Sequence, residues 1–228
     1  MAYWLNTYHP LAGRPDGPWA SQAPSIPPFA DASCRREPDI GAARPAITGL
    51  CRPQWVQQLR EGDVVAYFTV KGRYFDEREH RRLTAVLRVI HEARSHLAAD
   101  RWYELHGFSL PRNIMVPRNP PLPLEMTEGG YHKGNEFIAP SDQVDAAQVL
   151  EDWNRVYEER RCRRGAVRIC IPLLVDIRQG FRLSDEELRH IFGAAGFPNT
   201  QRRPARIDLD VMKAILIAVD QASVVDAL

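Results

Sequence analysis

The chain has 228 residues, 44% of them apolar, and a formal net charge of +1. That size and composition allow a substantial core in one elaborated domain, while the near-neutral charge excludes a protein drawn onto nucleic acid by its overall field, so any phosphate contact has to be local. No run approaches the roughly 18 apolar residues of a membrane span, and Met1 to Pro10 lacks the basic start and apolar core of an export signal, so a cytoplasmic protein without membrane contact is expected.

In chain order, Tyr3-Trp4-Leu5 reads as a first strand that stops at a turn by Pro10. Residues 11–46 are rich in Pro, Ala, Gly, Ser and Asp without a sustained pattern. A structureless excursion of this length is unusual in a compact domain, so it is expected to wrap the fold or line a functional surface. A short helix is expected through Trp55, Val56 and Leu59. Asp63 to Val70 and Leu83 to Ile90, rich in β-branched and aromatic residues, are the strongest strand signals and are expected to pair. Trp102 to Leu105 reads as a further strand. The proline-rich stretch from Asn113 to Leu124 is expected to run extended over the surface in polyproline II style, and Thr127 to Asn135 as a turn-rich loop.

Past residue 141 the pattern changes. Apolar positions at Val149, Leu150, Trp153, Val156 and Tyr157 predict a helix over 145–161. Val167 to Ile171 and Leu173 to Ile177 read as strands on either side of Pro172. Ser184 with Glu187 matches a capping box for a helix ending near Gly193, and Asp208 or Asp210 is placed to cap a last helix. The organisation expected is α+β: a first unit over 1–140 with an insertion at 11–46, and an α/β C-terminal extension over 141–228 packed on it.

Three of these segments, in this order, resemble a known family. Tyr3-Trp4-Leu5 followed by Pro10 looks like the first strand of EVE domains, which belong to the PUA-like β-barrels. Gly49-Leu50-Cys51-Arg52 resembles the family's Gly-Val-Arg-Asn-like segment at its pocket, and Gly62-Asp63 followed by Val64 to Phe68 resembles its Gly-Asp and apolar strand. The resemblance covers residues 1 to 140. It implies a PUA-like mixed or antiparallel barrel with flanking helices and a helical C-terminal extension. It also implies a non-catalytic module that holds a modified nucleobase of DNA, RNA or a nucleotide, in the manner of the nucleotide-modification-associated domains found near phage and restriction genes. Where the family commonly has Lys-Ser-Glu, this chain has Thr7-Tyr8-His9.

Such a site needs flat rings to stack an extruded base and polar groups to read its edge. The rings available are Trp4, Tyr8, Trp55 and Tyr67. The polar readers are Asn6, Thr48, the backbone at Gly49 and Arg52, with Asn113 in a loop placed to close over the pocket. Each has an ordinary structural role as well: Trp4 in the barrel core, Asn6 and Arg52 on loop backbone, Gly49 in a tight turn, Asn113 in surface packing. Tyr67 and Phe68 are adjacent on a strand and so face opposite ways.

The seven histidines and four cysteines (Cys34, Cys51, Cys162, Cys170) show no metal-ligand spacing. No phosphate-cradling glycine loop, nucleophile elbow or zinc-deaminase signature is present, so neither cofactor nor metal is expected. Two alternatives stay open. One is an enzyme acting on a nucleotide or small metabolite, with His9 as acid or base. The other is a scaffold that binds a protein partner through its Pro-rich loops and Arg-bearing C-terminal helices.

Overall fold

Two long apolar runs, β3 (Val64–Thr69) and β4 (Arg81–Ala93), form the centre of the sheet and pair antiparallel as expected. In the computed structural model, which describes residues 1–13, 26–123, 126–127, 131–133, 136–138, 146–200 and 203–228, they are joined by β1 (Tyr3–Tyr8), β2 (Ala46–Thr48), β7 (Val167–Val175), β8 (Phe181–Leu183) and β9 (Ala205–Ile207). The order is β2-β7-β4-β3-β1-β9, with β8 paired to the start of β4. The β1–β3 pair is parallel and the other pairs are antiparallel. The sheet curls into an open half-barrel, and the molecule is α+β. A separate hairpin joins β5 (Tyr131–Lys133) to β6 (Glu136–Ile138); the remainder of the loop expected over 127–135 lies outside the described residues, as do residues 14–25 of the insertion.

Every residue of β1 and β3 is buried, which explains why neither alternates apolar with exposed polar residues: a strand covered on both faces has no solvent side. On one face Tyr3, Leu5, Ala66, Phe68 and Val86 meet Leu188 of α4 (Asp185–Phe192) and Met212, Ile215 and Leu216 of α5 (Leu209–Ala218). On the other, Trp4, Val65, Tyr67, Leu87 and Val89 pack with Ile40 and with Trp55 and Val56 of α1 (Pro53–Val56). The Ser184 capping box is present at the head of α4, and Asp208 stands at the N-cap of α5 without a side-chain bond to it.

Four expectations change. Trp102 to Leu105 is not a strand but the end of α2 (His96–Leu105), whose first turn is fixed by Ser95 accepting from the Ala98 amide at 3.1 Å. The segments flanking Pro172 are one strand: Pro172 stands opposite Leu87 where the β4–β7 register shifts, and the irregularity accommodates the missing amide. The stretch from 113 is not one extended surface segment: its first part is gathered into turns, and residue 124 lies outside the described residues. Asn113 donates to the Ala46 carbonyl at 2.7 Å, Asn119 donates to the carbonyls of Pro111 and Ile114 at 2.8 and 2.7 Å, and these amides gather the chain into turns that bury Ile114, Met115 and Leu122. Finally, residues beyond 141 are not packed on a finished barrel: β7 lies inside the sheet between β2 and β4, and β8 and β9 extend it.

The described part of the insertion does wrap the fold. Phe29 is buried with its amide on the Ile177 carbonyl, and the nearly inaccessible Arg35 donates to Asn154 of α3 (Ala146–Arg163) at 2.8 Å and to the Asn119 carbonyl at 2.7 Å. Charged donors on neutral oxygens contribute about 1.5–3 kcal/mol each, enough to hold a segment that lacks regular structure.

Because β7 closes the sheet between β2 and β4, a chain ending at residue 140 is expected to show no cooperative thermal transition by circular dichroism. A sharp two-state melt of that fragment would show instead that the first 140 residues close without the C-terminal strands.

Candidate functional site

Over the Trp4 face of the sheet lies a cavity of about 640 Å³, within the range of sites that enclose small organic ligands. Its floor is set by strand alternation. Asn6 and Tyr8 point the same way from β1, and the parallel register places Asn6 beside Tyr67 of β3. Its walls come from three further places: Thr48, Cys51, Arg52 and Trp55 from the β2–α1 region, Asp31, Ser33 and Glu37 from the insertion, and Trp153, Tyr157 and Arg160 from α3.

Six of the nine residues expected at the site therefore converge: Asn6, Tyr8, Thr48, Arg52, Trp55 and Tyr67. Three do not border the cavity. Trp4 is a core ring, 8% exposed and edge-on to Trp55 with ring centres 6.3 Å apart. Gly49 serves packing: a Cβ there would lie 2.6 Å from the Arg164 carbonyl oxygen, so its lack of a side chain admits the chain after α3, not a ligand. Asn113 is fully buried on β2 and closes over nothing. His9 does border the cavity, together with Cys51, although β1 and β2 are not neighbours in the sheet.

The polar groups divide into those committed to structure and those that are not. Arg52 donates to Asn6 Oδ1 and the Thr200 carbonyl at 2.6 Å and to the Thr7 carbonyl at 3.2 Å, tying β1 to the segment ahead of β9. Tyr8 donates to the Phe29 carbonyl and lies 3.0 Å from Thr84 Oγ1, so its ring, not its hydroxyl, is available. Arg160 donates to the Leu50 carbonyl at 2.9 Å and lies over the Tyr157 ring. In contrast, Tyr67 OH, Glu37 Oε2 and Trp55 Nε1 are buried without a hydrogen-bond partner among the described residues. Asn6 approaches the Tyr67 hydroxyl closely enough to favour its anion but without hydrogen-bond geometry. Leaving such a group unpaired costs about 1–3 kcal/mol, and a ligand that pairs it recovers that cost.

Glu37 is the electrostatic centre of the cavity. Its Oε1 accepts from Thr48 Oγ1 at 2.6 Å, and burial, only partly offset by the Thr48 and Cys51 bonds, pushes its carboxyl up to about 7. At neutral pH it therefore exists in both forms, able to donate or accept. Cys51 is reached by solvent yet surrounded by protein, and burial together with the Glu37 charge pushes its thiol up, so it is protonated and a poor nucleophile. Among the described residues no three His, Cys, Asp or Glu side chains converge as a metal site, and no helix is long and apolar enough to cross a membrane.

The contributions of Glu37 and α3 escape sequence reasoning. Trp153, Tyr157 and Arg160 recur at helical spacing and read as a buried face; the arginine closing that stripe is the one sign that it borders solvent-filled space. Glu37 follows two arginines in an irregular segment and carries no periodic signal. No protein-family model, curated protein or solved structure matches this chain.

The sign of the pH dependence follows from Glu37. Between its ordinary value of 4.5 and about 7 the folded chain holds a proton that the unfolded chain has released, so stability falls as pH rises through that window. The denaturation midpoint is expected to decline between about pH 5 and pH 7.5, and Glu37→Gln is expected to shrink that decline.

Proposed function

We propose that this chain is a divergent PUA-like module of the EVE kind, which recognises a modified nucleobase by enclosing it in the cavity between β1, α1 and α3. The observation that carries the reading is the combination, in one nucleobase-compatible space, of aromatic rings from Tyr8, Trp55, Tyr67, Trp153 and Tyr157 with buried polar atoms of Tyr67, Glu37 and Trp55 that have no partner. Rings and unpaired donors at the same place suit a flat heterocycle with a polar edge. An aliphatic guest would leave the polar atoms unsatisfied, and an ion would not use the rings.

The magnitudes are compatible. Extruding a base from its stack costs a few kcal/mol, while stacking on one ring returns about 1–3 kcal/mol. One ring, a methyl or hydroxymethyl substituent in apolar contact, and two newly satisfied hydrogen bonds cover the difference. Selectivity then rests with Glu37 and Tyr67, because a base whose edge cannot pair them leaves their dissatisfaction in place.

Tyr67→Phe separates the ligand's need for the hydroxyl from the fold's. Removing a buried, unpartnered hydroxyl is expected to stabilise the free protein by about 1 kcal/mol and to weaken binding of methylated or hydroxymethylated oligonucleotides about tenfold. Trp55→Ala is expected to reduce binding further, with Trp55→Phe retaining fold and partial affinity. Isothermal titration and thermal melts read both; unchanged affinity in all three variants, or no binding by the parent to any modified oligonucleotide, would remove the reading.

A second reading draws on Glu37 titrating near neutrality in the same cavity as His9: general acid–base chemistry on a bound nucleotide. It predicts that the parent consumes a nucleotide and that Glu37→Gln does not, followed by chromatography. Consumption that persists in Glu37→Gln takes that assignment away.

A further inference from the structure

A second cavity, of about 500 Å³, lies directly against the first: Cys51, Arg52 and Trp55 border both. The remainder of its lining is Pro53, Gln54 and Gln58 from the α1 region, and Arg203 and Pro204 ahead of β9. Its character is different. The first space holds rings and two carboxyl groups, Asp31 and Glu37; the second is bordered by Arg52 and Arg203 and, among the described residues, by no carboxylate. Gln54 and Gln58 are exposed amides, and Arg203 is exposed with no ion pair or hydrogen bond among the described residues. Arg52, on the shared wall, donates to Asn6, Thr200 and Thr7 and serves there as a positioned structural cation. β9 pairs with β1 from Ala205 onward, so Arg203 leads directly into a strand anchored on the floor of the first cavity.

We infer that the second cavity takes the phosphate of the ligand whose base occupies the first, with Arg203 as its principal contact; the inference rests on the base-binding reading above. The shared wall of Trp55 and Arg52 lets one molecule span both spaces: a flat apolar part against the rings, and an anion on the arginine side. A nucleotide or a strand has this chemistry, whereas a free base or nucleoside has only half of it. A guanidinium fork in a trough without carboxylates suits phosphate oxygens, and glutamine amides supply neutral donors beside it. With a net charge of +1 the whole chain offers no strong field, so a phosphate contact has to be local, as this one is.

The test compares three forms of the same modified base: hydroxymethylated deoxycytidine or methylated deoxyadenosine as the nucleoside, as its monophosphates, and at the centre of a trinucleotide. The phosphate-bearing forms are expected to bind the parent about tenfold or more tightly than the nucleoside at low salt, with a log–log salt slope of about −0.7 per phosphate contact. Arg203→Ala, and more strongly Arg203→Glu, is expected to erase most of that advantage and to flatten the slope by about one contact. Arg101→Ala, at an exposed position of α2, makes the same charge change outside both cavities and is expected to keep the advantage. A gain with the monophosphate alone identifies a free nucleotide as ligand, and a further gain with the trinucleotide identifies a strand; both support the phosphate site. Nucleosides that bind as well as their phosphates, or an advantage that survives Arg203→Glu, overturn the phosphate site and leave base recognition standing. Failure of all three forms to bind the parent removes both.

Discussion

The parallel pairing of β1 with β3 is the constraint on which the molecule depends. A parallel pair cannot be joined by a tight turn; the chain has to cross over and return. Here the crossover is the whole of residues 9–63: the insertion, β2, the turn at Gly49 and α1. Because both strands are buried on both faces, that crossover has to cover one of them, and the chain lies across the face bearing Trp4, Asn6 and Tyr8. Glu37, Thr48, Cys51, Arg52 and Trp55 reach a common cavity because they belong to one covering excursion. The opposite face is closed by apolar side chains of α4 and α5.

A cover made of irregular chain is normally a weak element, since its backbone groups lack regular partners. This one is held by arginine. Arg35 ties the insertion to α3 and to the turns after Pro111, Arg36 donates to the carbonyls of Asp31 and Met126, and Arg52 clamps β1 to the Thr200 segment. The acceptors are mostly neutral carbonyls, so these are cations used as multivalent donors and not as halves of salt bridges. The net charge of +1 reflects 30 basic residues balanced by 29 acidic ones, and several of the arginines are spent inside. Three of the buried side-chain atoms without partners among the described residues belong to Glu37, Trp55 and Tyr67, all on one cavity.

What sequence reasoning reaches follows from which signals are local. β3 and β4 are legible because their apolar runs need no partner to be recognised, and the α4 capping box because Ser184 and Glu187 are three residues apart. Asn6, Tyr8 and Tyr67 are legible as site residues because strand alternation fixes which side chains share a face. The failures have the opposite character. Trp102 to Leu105 looks like a strand until Ser95, seven residues earlier, starts a helix. Gly49 looks like an opening for a ligand, but the space it leaves is filled by the Arg164 carbonyl, more than a hundred residues away in sequence. The α3 contribution is of this kind too: Trp153 and Tyr157 are as apolar as any core pair, and only the fold shows that Arg160 on the same stripe faces a cavity.

The two faces of β3 show how far one strand can divide labour. Tyr67 and Phe68 are adjacent, both buried, and separated by a shift in the β3–β4 register. Phe68 meets Phe197 edge-on and belongs to the apolar cluster under the helical layer, and its ring has no polar atom to satisfy. Tyr67 carries one oxygen more, and that oxygen is buried where no group among the described residues completes it. Exchanging the two would put the unpaired hydroxyl against α5 and a plain ring in the cavity: the core would bear the cost of the oxygen and the cavity would lose its reader. The polar atom is tolerable on the side where a guest can enter, and it is on that side that the crossover, through Glu37 and Trp55, places two further atoms in the same condition.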